Sequence, residues 1–347
     1  MRALQLSDYR VLEIIDLPVP EPAAGEVLVQ VASCGICGSD IHGYDGASGR
    51  RIPPLVMGHE AAGVVAAVGD GVSNVRRGDR ITFDSTVYCG ECGFCRRGEI
   101  NLCDRRQVLG VSCGDYRRAG AFAEYIVVPS RITYPLPDNL SFVEAAMLEA
   151  VSVALHAVSL TRVVSADSTL VIGAGMIGLL IVQALRAAGV SHIIVTDLER
   201  SRLALAKEVG ATEIVHGNEA EVLSQILQST TSAGVDAAIE AVGLDDTVKL
   251  SIKAVRKGGR VTLVGNISPT VTLPLQSVVT RQICLQGSCA SAGEYPKAID
   301  LLASGTIRVK PLISAVAPLE QGPRWFERLY SREPNLMKVV LTPGATS

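Results

Sequence analysis

The sequence has little net charge and no long hydrophobic run, and both absences restrict what it can do. The formal charge of −3 argues against nucleic acid or an anionic membrane as the main partner. The longest strongly apolar run, at 176–185, is too short to cross a bilayer. No apolar segment follows Met1, so we expect no signal peptide. We find neither an internal repeat nor a low-complexity tract.

Apolar residues and cysteines, by contrast, are plentiful. The 48% hydrophobic content allows a sizeable buried core, and 347 residues are enough for about two domains. Without a signal peptide, the nine cysteines are expected in a reducing cytoplasm. In that compartment, clustered cysteines indicate metal binding or catalysis more than disulfides.

Hydrophobic periodicity divides the chain into two kinds of structure. Residues 1–150 combine Gly and Pro with short apolar runs, which is typical of short strands joined by turns. From about residue 165, apolar strands alternate with helical stretches, which indicates βαβ units and a doubly wound parallel sheet. After about residue 288 this alternation stops, and we predict that the tail returns to the first domain.

A dinucleotide site is predicted from the glycines of VIGAGMIGLL. Gly173, Gly175 and Gly178 have G-x-G-x-x-G spacing between a predicted strand and a predicted helix, and Asp197 ends the next strand. Such glycines allow a tight turn and close approach to pyrophosphate at the helix N-terminus. A carboxylate at Asp197 favours NAD over NADP because it would repel a 2′-phosphate; alternatively, it is a solvated acid. Arg202 either covers the adenosine ribose or is a solvated helix arginine.

Four cysteines lie close together in CGECGFCRRGEINLC. Four thiolates close a tetrahedral zinc site with no open position, which is a structural role. Two disulfides or four buried thiols are the alternatives, and neither suits a short polar loop in a reducing compartment. The predicted zinc ligands are Cys89, Cys92, Cys95 and Cys103. Three other cysteines are predicted to be small packing residues, namely Cys113, Cys284 and Cys289.

The loop SCGICGSDIHGY contains a second cysteine pair. Cys34 and Cys37 form a C-x-x-C, which is compatible with a redox disulfide, half of a zinc site or the corner of an active site. A catalytic zinc needs three protein ligands and one open position. Cys37 and His59 would supply a thiolate and an imidazole, but spacing alone does not identify the third ligand.

Together these motifs resemble the zinc-containing medium-chain alcohol dehydrogenases over nearly the whole chain. The pattern G-H-E-x-x-G-x5-G-x-x-V runs from Gly58 to Val72, and the cysteine lobe and nucleotide motif follow in the family's order. The sequence is most similar to the sorbitol (polyol) dehydrogenase branch. The resemblance implies an α/β protein with a GroES-like β-rich catalytic domain (1–152 and 288–347) and a Rossmann NAD-binding domain (153–287).

The same resemblance assigns roles to single residues. It implies Cys37, His59 and Glu149 as catalytic zinc ligands, with Glu60 as a neighbour of the metal or an exchanging ligand, and Cys34 as a packed core residue. The cofactor-binding residues that it implies are Gly173, Gly175, Ile177, Gly178, Asp197, Arg202, Val264, Gly265 and Asn266. Two zinc ions per subunit, NAD and a small-molecule alcohol are thus expected, in a homodimer or homotetramer whose subunits pair near 282–287.

In the implied reaction, zinc acidifies an alcohol and hydride passes to the nicotinamide. Ser39 and His42 would pass the proton to solvent through the cofactor ribose. From the sequence alone, they fit a turn hydroxyl and a surface histidine equally well. Asp40 is expected to support a zinc ligand, and His156 to be a packed core histidine.

The similarity to the polyol branch ends at the substrate residues. Cys289, Ala290 and Ser291 replace its Phe-Arg-Tyr, while Gly43 replaces a tyrosine and Ala150 a proline. We therefore predict NAD-dependent oxidation of a secondary hydroxyl of a polyol or sugar alcohol, with polyol phosphates and L-threonine as alternatives.

Two arginines bear on these alternatives. Arg50 and Arg51 would bind a substrate phosphate, or they are two exposed arginines of a solvated loop. A non-catalytic nucleotide-binding protein is disfavoured, because the predicted ligands and relay residues are all present.

Overall fold

The computed structural model describes residues 1–344, which form two compact units. One unit comprises Met1–Glu149, Tyr295–Ser304 and the chain from Val309 onward, and the other comprises Ala150–Glu294 and Gly305–Arg308. The sequence-based boundaries stand at 152/153 and 287/288. Within the described range, no helix is both long enough and apolar enough to cross a membrane.

The elements are numbered in chain order. The strands are β1 (Arg2–Asp8), β2 (Val11–Asp16), β3 (Glu26–Gly35), β4 (Leu55–Val56), β5 (Glu60–Val68), β6 (Arg80–Phe83), β7 (Thr86–Val87), β8 (Gln107–Val108), β9 (Val111–Ser112), β10 (Arg117–Arg118), β11 (Tyr125–Pro129), β12 (Thr133–Pro135), β13 (Ser168–Ile172), β14 (His192–Thr196), β15 (Glu213–Val215), β16 (Val235–Glu240), β17 (Val255–Leu263), β18 (Cys284–Gly287), β19 (Ile313–Pro318) and β20 (Lys338–Thr342). The helices are α1 (Gly38–Tyr44), α2 (Gly93–Arg96), α3 (Phe142–Ala145), α4 (Leu148–Thr161), α5 (Met176–Ala187), α6 (Arg200–Glu208), α7 (Glu219–Ser229), α8 (Asp245–Ala254), α9 (Leu275–Thr280), α10 (Tyr295–Ala303) and α11 (Gly322–Tyr330).

The first unit is built on a seven-stranded sheet. Six of its strands follow the order β12-β6-β5-β3-β20-β19. The seventh strand, β11, pairs with β3 outside this order. Val27, Val29 and Val31 lie on one face of β3, because side chains alternate along a strand, and all three are fully buried. β20, from the end of the chain, pairs antiparallel with β3 and so contributes to the sheet that carries the first cysteine loop.

The second unit contains a six-stranded parallel sheet in the order β15-β14-β13-β16-β17-β18. Its central strands are almost continuously apolar and buried, as expected when helices cover both faces of a parallel sheet. The strand order reverses between β13 and β16. Open α/β sheets bind ligands beyond the carboxyl ends of their strands at such a reversal.

Candidate metal centres and nucleotide site

The pairing of β3 with β5 brings the first cysteine loop beside His59. Gly35 lies opposite Glu60 in this antiparallel pair, and α1 begins shortly afterwards with Cys37 as its N-cap. Gly58 has a φ of 92°, and a Cβ there would come within 2.8 Å of a neighbouring phenyl ring. The turn that presents His59 therefore requires glycine.

Cys37, His59 and Glu60 direct potential metal-binding atoms to one place. One ligand atom from each lies within 4.8 Å of the others. Glu60 is already engaged, because the buried Nζ of Lys338 donates to its Oε2 at 2.5 Å. Its predicted role as a neighbour of the metal or an exchanging ligand stays a prediction.

Glu149, the predicted third ligand, lies outside this 4.8 Å group. Its carboxylate accepts a hydrogen bond from Ser85 Oγ at 3.4 Å. Burial, the largest effect, raises the pKa of Glu149 to about 6, and the charge of Glu60 adds to that rise. A nearby cation would favour the ionised carboxylate, but its role as a ligand remains a prediction.

Asp40 is completely buried next to the predicted ligands. Its Oδ2 accepts a hydrogen bond from the Cys37 N–H at 3.2 Å, and its Oδ1 lies 3.5 Å from His59 Nδ1. Burial alone would raise the pKa of Asp40, but His59 and Arg51 lower it to about 2. Asp40 and Cys37 in turn raise the pKa of His59 against the effect of its burial. This donor set of thiolate, imidazole and carboxylates in a negative environment fits a zinc ion.

Ser39 and His42 both have exposed side chains on α1. Ser39 Oγ donates to Cys37 Sγ at 3.4 Å and accepts a hydrogen bond from Arg51 Nη2 at 3.2 Å. The position of Ser39 beside a predicted zinc ligand is compatible with the relay, which remains a prediction for both residues.

Arg51 does not belong to a solvated loop, and that alternative is wrong for it. Its side chain is buried and forms an ion pair with Asp40 at 3.0 Å, whereas Arg50 is exposed. A substrate phosphate would have to compete with the Asp40 carboxylate for the Arg51 guanidinium. Any phosphate recognition by this pair therefore depends on Arg50.

The four cysteines of the lobe also converge. Their sulfur atoms lie within 4.8 Å of one another, and none of them forms a disulfide. Backbone N–H groups point at the sulfurs, including that of Cys89 at Cys103 Sγ (3.3 Å) and that of Cys95 at Cys92 Sγ (3.5 Å). Hydrogen bonds to its sulfur, the strongest from a backbone N–H, lower the pKa of Cys89 to about 6. Burial raises the pKa of Cys95 to about 12 in the same cluster, so of these two it is the Cys89 sulfur that already fits the thiolate that zinc requires.

The remaining cysteines differ in environment. Cys34 is fully buried in the core of the first unit, as predicted. Cys113 is partly buried, but Cys284 and Cys289 are exposed, so the prediction of packing residues is wrong for these two. Cys284 lies on β18, at the edge of the sheet as far as the structure describes the chain, and its side chain is exposed there.

The glycine motif has the geometry of a nucleotide loop. Gly173 has a φ of 94°, Gly175 is the N-cap of α5, and a Cβ on Gly178 would lie 1.8 Å from the Gly173 carbonyl oxygen. Asp197 accepts hydrogen bonds from the Ala174 N–H at 2.7 Å and from a second backbone N–H at 2.8 Å. It is therefore more than a solvated acid, because its carboxylate also holds the glycine loop.

A cavity of about 730 Å³ opens where β14 and β15 end, lined by Leu198, Arg200 and His216 among others. Arg202 is exposed on α6, and its contact with the ribose remains a prediction. Ile177 lies in the first turn of α5.

Sequence reasoning missed Glu240 at the same edge of the sheet. Glu240 is completely buried, and its Oε1 accepts the N–H groups of Val242 and Gly243 at 2.8 Å each. The backbone carbonyl of Glu240 accepts hydrogen bonds from the N–H groups of Val264 and Gly265. An acid at the carboxyl end of a parallel strand was the available signal.

The prediction that His156 is a buried histidine is correct, and its Nδ1 lies 2.7 Å from Glu294.

Comparison with known proteins gives matches along the whole chain. The model of an alcohol dehydrogenase GroES-like domain matches residues 23–138, and that of a zinc-binding dehydrogenase matches 177–304. The chain is 37% identical to a sorbitol dehydrogenase of Bacillus subtilis (strain 168), covering 99% of this chain and 98% of that one. It is 34% identical to a D-arabitol-phosphate dehydrogenase of Enterococcus avium, covering 97% and 95%. A solved alcohol dehydrogenase from Escherichia coli CFT073, complexed with NADH, superposes with a TM-score of 0.91 at 31% identity and 99% coverage of both chains.

Proposed function

The chain belongs to the zinc-containing medium-chain alcohol dehydrogenases, and from this premise we propose that it oxidises a secondary hydroxyl of a polyol or sugar alcohol to the ketone with NAD. Its fold class, a GroES-like unit with a Rossmann-type parallel sheet, is confirmed, and it is a zinc- and nicotinamide-dependent oxidoreductase. One observation carries the proposal. Cys37, His59 and Glu60 converge in a chain similar to a sorbitol dehydrogenase over 99% of its length.

We propose that Cys37, His59 and Glu149 hold the catalytic zinc, with Glu60 as a neighbour or exchanging ligand. Three ligands of these types leave a fourth position open for substrate, as catalytic zinc sites require. The four cysteines of the lobe hold a second zinc in this proposal. Four thiolates leave no open position there, so that ion stabilises the loop and has no part in the reaction.

When bound, zinc acidifies the alcohol and NAD accepts its hydride. Ser39 accepts the substrate proton at Oγ in this proposal, and its exposed position on α1 supports that role. Ser39 then passes its own hydroxyl proton on toward His42, which releases a proton to solvent. Asp40 holds the ring of His59 in one orientation, because a carboxylate beside the imidazole fixes its tautomer.

We propose that the second unit binds NAD through the glycine loop and Asp197. The N–H groups at the start of α5 receive the pyrophosphate, and the close approach of Gly178 to Gly173 supports that position. Asp197 disfavours a 2′-phosphate by its charge. The cavity at the ends of β14 and β15 offers room for the adenosine.

The substrate is tested by measuring NADH formation with a panel of polyols, their phosphates and amino alcohols that includes L-threonine. We expect neutral polyols to have the highest kcat/KM. A preference for phosphorylated polyols would move the substrate class toward that of the D-arabitol-phosphate relative and direct attention to Arg50. No turnover with any secondary alcohol would contradict the proposal.

We further propose a homodimer or homotetramer whose subunits pair through 282–287. β18 supports this, because it is an edge strand and its exposed Cys284 is available to a second copy. Light scattering at several concentrations tests the assembly. The thiolate ligands also suggest a reducing compartment such as the cytoplasm. The small net charge of −3 supports the proposal that the protein has no nucleic acid or membrane partner.

A further inference from the structure

Arg51 is a buried cation with a full set of local partners. Its Nε and Nη2 donate to Asp40 Oδ1 at 3.3 Å and 3.0 Å, and Nη2 also donates to Ser39 Oγ at 3.2 Å. Its Nη1 donates to the carbonyl of Arg50 at 3.2 Å. One rigid guanidinium therefore touches both the proposed proton acceptor and the carboxylate beside His59.

Gly43 provides the space that Arg51 occupies. A Cβ at position 43 would lie 2.2 Å from Arg51 Cγ and 2.9 Å from its Cβ. Any side chain at this position would therefore displace the arginine. The tyrosine that the polyol branch leads us to expect at Gly43 is incompatible with the observed position of Arg51, so the two positions form one unit in this chain.

The two partners of Arg51 connect it to the proposed chemistry in different ways. Ser39 lies on the exposed side of α1 and donates to Cys37 Sγ, and the hydrogen bond from Arg51 Nη2 fixes one lone pair of its Oγ. Asp40 accepts the Cys37 N–H and faces His59, and Arg51 is the arginine that forms an ion pair with its buried charge. Arg51 thus constrains both predicted ligands through Asp40.

We propose that Arg51 is a positioning residue, which orients Ser39 for proton transfer and holds Asp40 against Cys37 and His59. The expected effect on kcat rests on the proposed function, whereas the expected effect on zinc release does not. A planar guanidinium suits this task because its N–H groups diverge in a fixed geometry.

Three variants test it, together with a matched control. Arg51→Met removes the charge and the donors, and Arg51→Lys keeps the charge with a single donor group. Gly43→Ala keeps Arg51 but displaces it. Arg50→Met is the control, because it removes a neighbouring arginine whose side chain is exposed. All are compared as zinc-loaded, full-length enzyme with a neutral polyol.

We expect Arg51→Met to lower kcat by about 10- to 100-fold, the range for misplaced reacting groups, with much less change in KM. A chelator should remove one zinc per subunit faster from this variant, since losing such outer partners weakens metal binding by about 10- to 100-fold. Gly43→Ala should show both effects, Arg51→Lys should recover part of each, and Arg50→Met should resemble the wild type.

A merely structural Arg51 gives a different result. Lower thermal stability with wild-type kcat and wild-type zinc release, in Arg51→Met or in Gly43→Ala, would overturn the proposal. Equal losses in Arg50→Met would also overturn it, since only net charge would then matter. If Arg51→Met does not fold, Arg51→Lys and Gly43→Ala decide. Should the wild type oxidise no alcohol, the proposed function fails, while the zinc-release comparison still tests Arg51.

Discussion

Replacement of Lys338 by methionine probes the buried charges beside the candidate zinc site. Lys338 and Glu60 are 3% and 2% exposed, and their charged atoms lie 2.5 Å apart. Methionine keeps an unbranched side chain but leaves the Glu60 carboxylate without its cation. Removing one partner of a buried ion pair costs about 3–5 kcal/mol, because the remaining charge stays in the interior.

We expect the full cost only in the metal-free protein. There it should lower the midpoint of thermal unfolding by about 6–20 °C for a unit of this size. Zinc held at Cys37 and His59 should reduce the loss, since the divalent cation offsets the same carboxylate. Circular dichroism during heating, with chelator and with added zinc, measures both values.

The double variant Lys338→Met/Glu60→Gln is the control. Removing both charges should recover most of the stability, because replacement of a whole buried pair is often nearly neutral. The reasoning is refuted by a single variant that loses less than about 1 kcal/mol without metal, the value of one ordinary hydrogen bond. A double variant as unstable as the single one would refute it equally.

The remaining predictions concern the cofactor and the cysteines. Asp197→Asn removes the charge that repels a 2′-phosphate, so the ratio of kcat/KM for NAD to that for NADP should fall; an unchanged ratio contradicts the assignment. Cys103→Ser should loosen the lobe and the oligomer and leave one zinc per subunit by metal analysis, and an unchanged zinc content would show that no four-cysteine site exists. Cys37→Ser should abolish turnover and lower zinc content, and Glu149→Gln should weaken metal binding, whereas Cys34→Ser should cost only about 1–3 kcal/mol of stability. Equal loss in both cysteine variants, with Glu149→Gln fully active, would indicate a redox pair instead.

Local patterns carried the successful predictions. The βαβ alternation and the glycine turn depend on periodicity and on backbone conformations within a few residues, such as the positive φ of Gly173. The convergence of the four lobe cysteines likewise depends on short spacing. Cys34 was correctly placed in the core through family resemblance, although its spacing from Cys37 suggested a pair.

Long-range pairing explains what the sequence could not supply. Lys338 meets Glu60 across 278 positions, and nothing near either residue indicates burial of a charged side chain. A solvated loop was one of two alternatives for Arg51, and the sequence near it did not indicate the ion pair with Asp40 or the space at Gly43 that accompany its burial. Exposure of Cys284 follows from the position of β18 at a sheet edge, which the sequence of the strand does not specify.

The two buried cations also bear on which residues bind zinc. Arg51 neutralises Asp40, and Lys338 neutralises Glu60, so these two acids already have partners. The hydrogen bonds to the Cys37 sulfur and to Glu149 come from Ser39 and Ser85 rather than from a lysine or arginine, although the charge of Lys338 acts on both groups. Their two negative charges equal the charge of one zinc ion, and a neutral His59 completes a set of three. Charge balance therefore favours Cys37, His59 and Glu149 as ligands over a set that includes Glu60, although Glu60 lies closer to the thiolate and imidazole without metal. The ion pair with Lys338 uses Glu60 Oε2, and the positive charge of Lys338 would oppose a zinc ion bound by the same carboxylate.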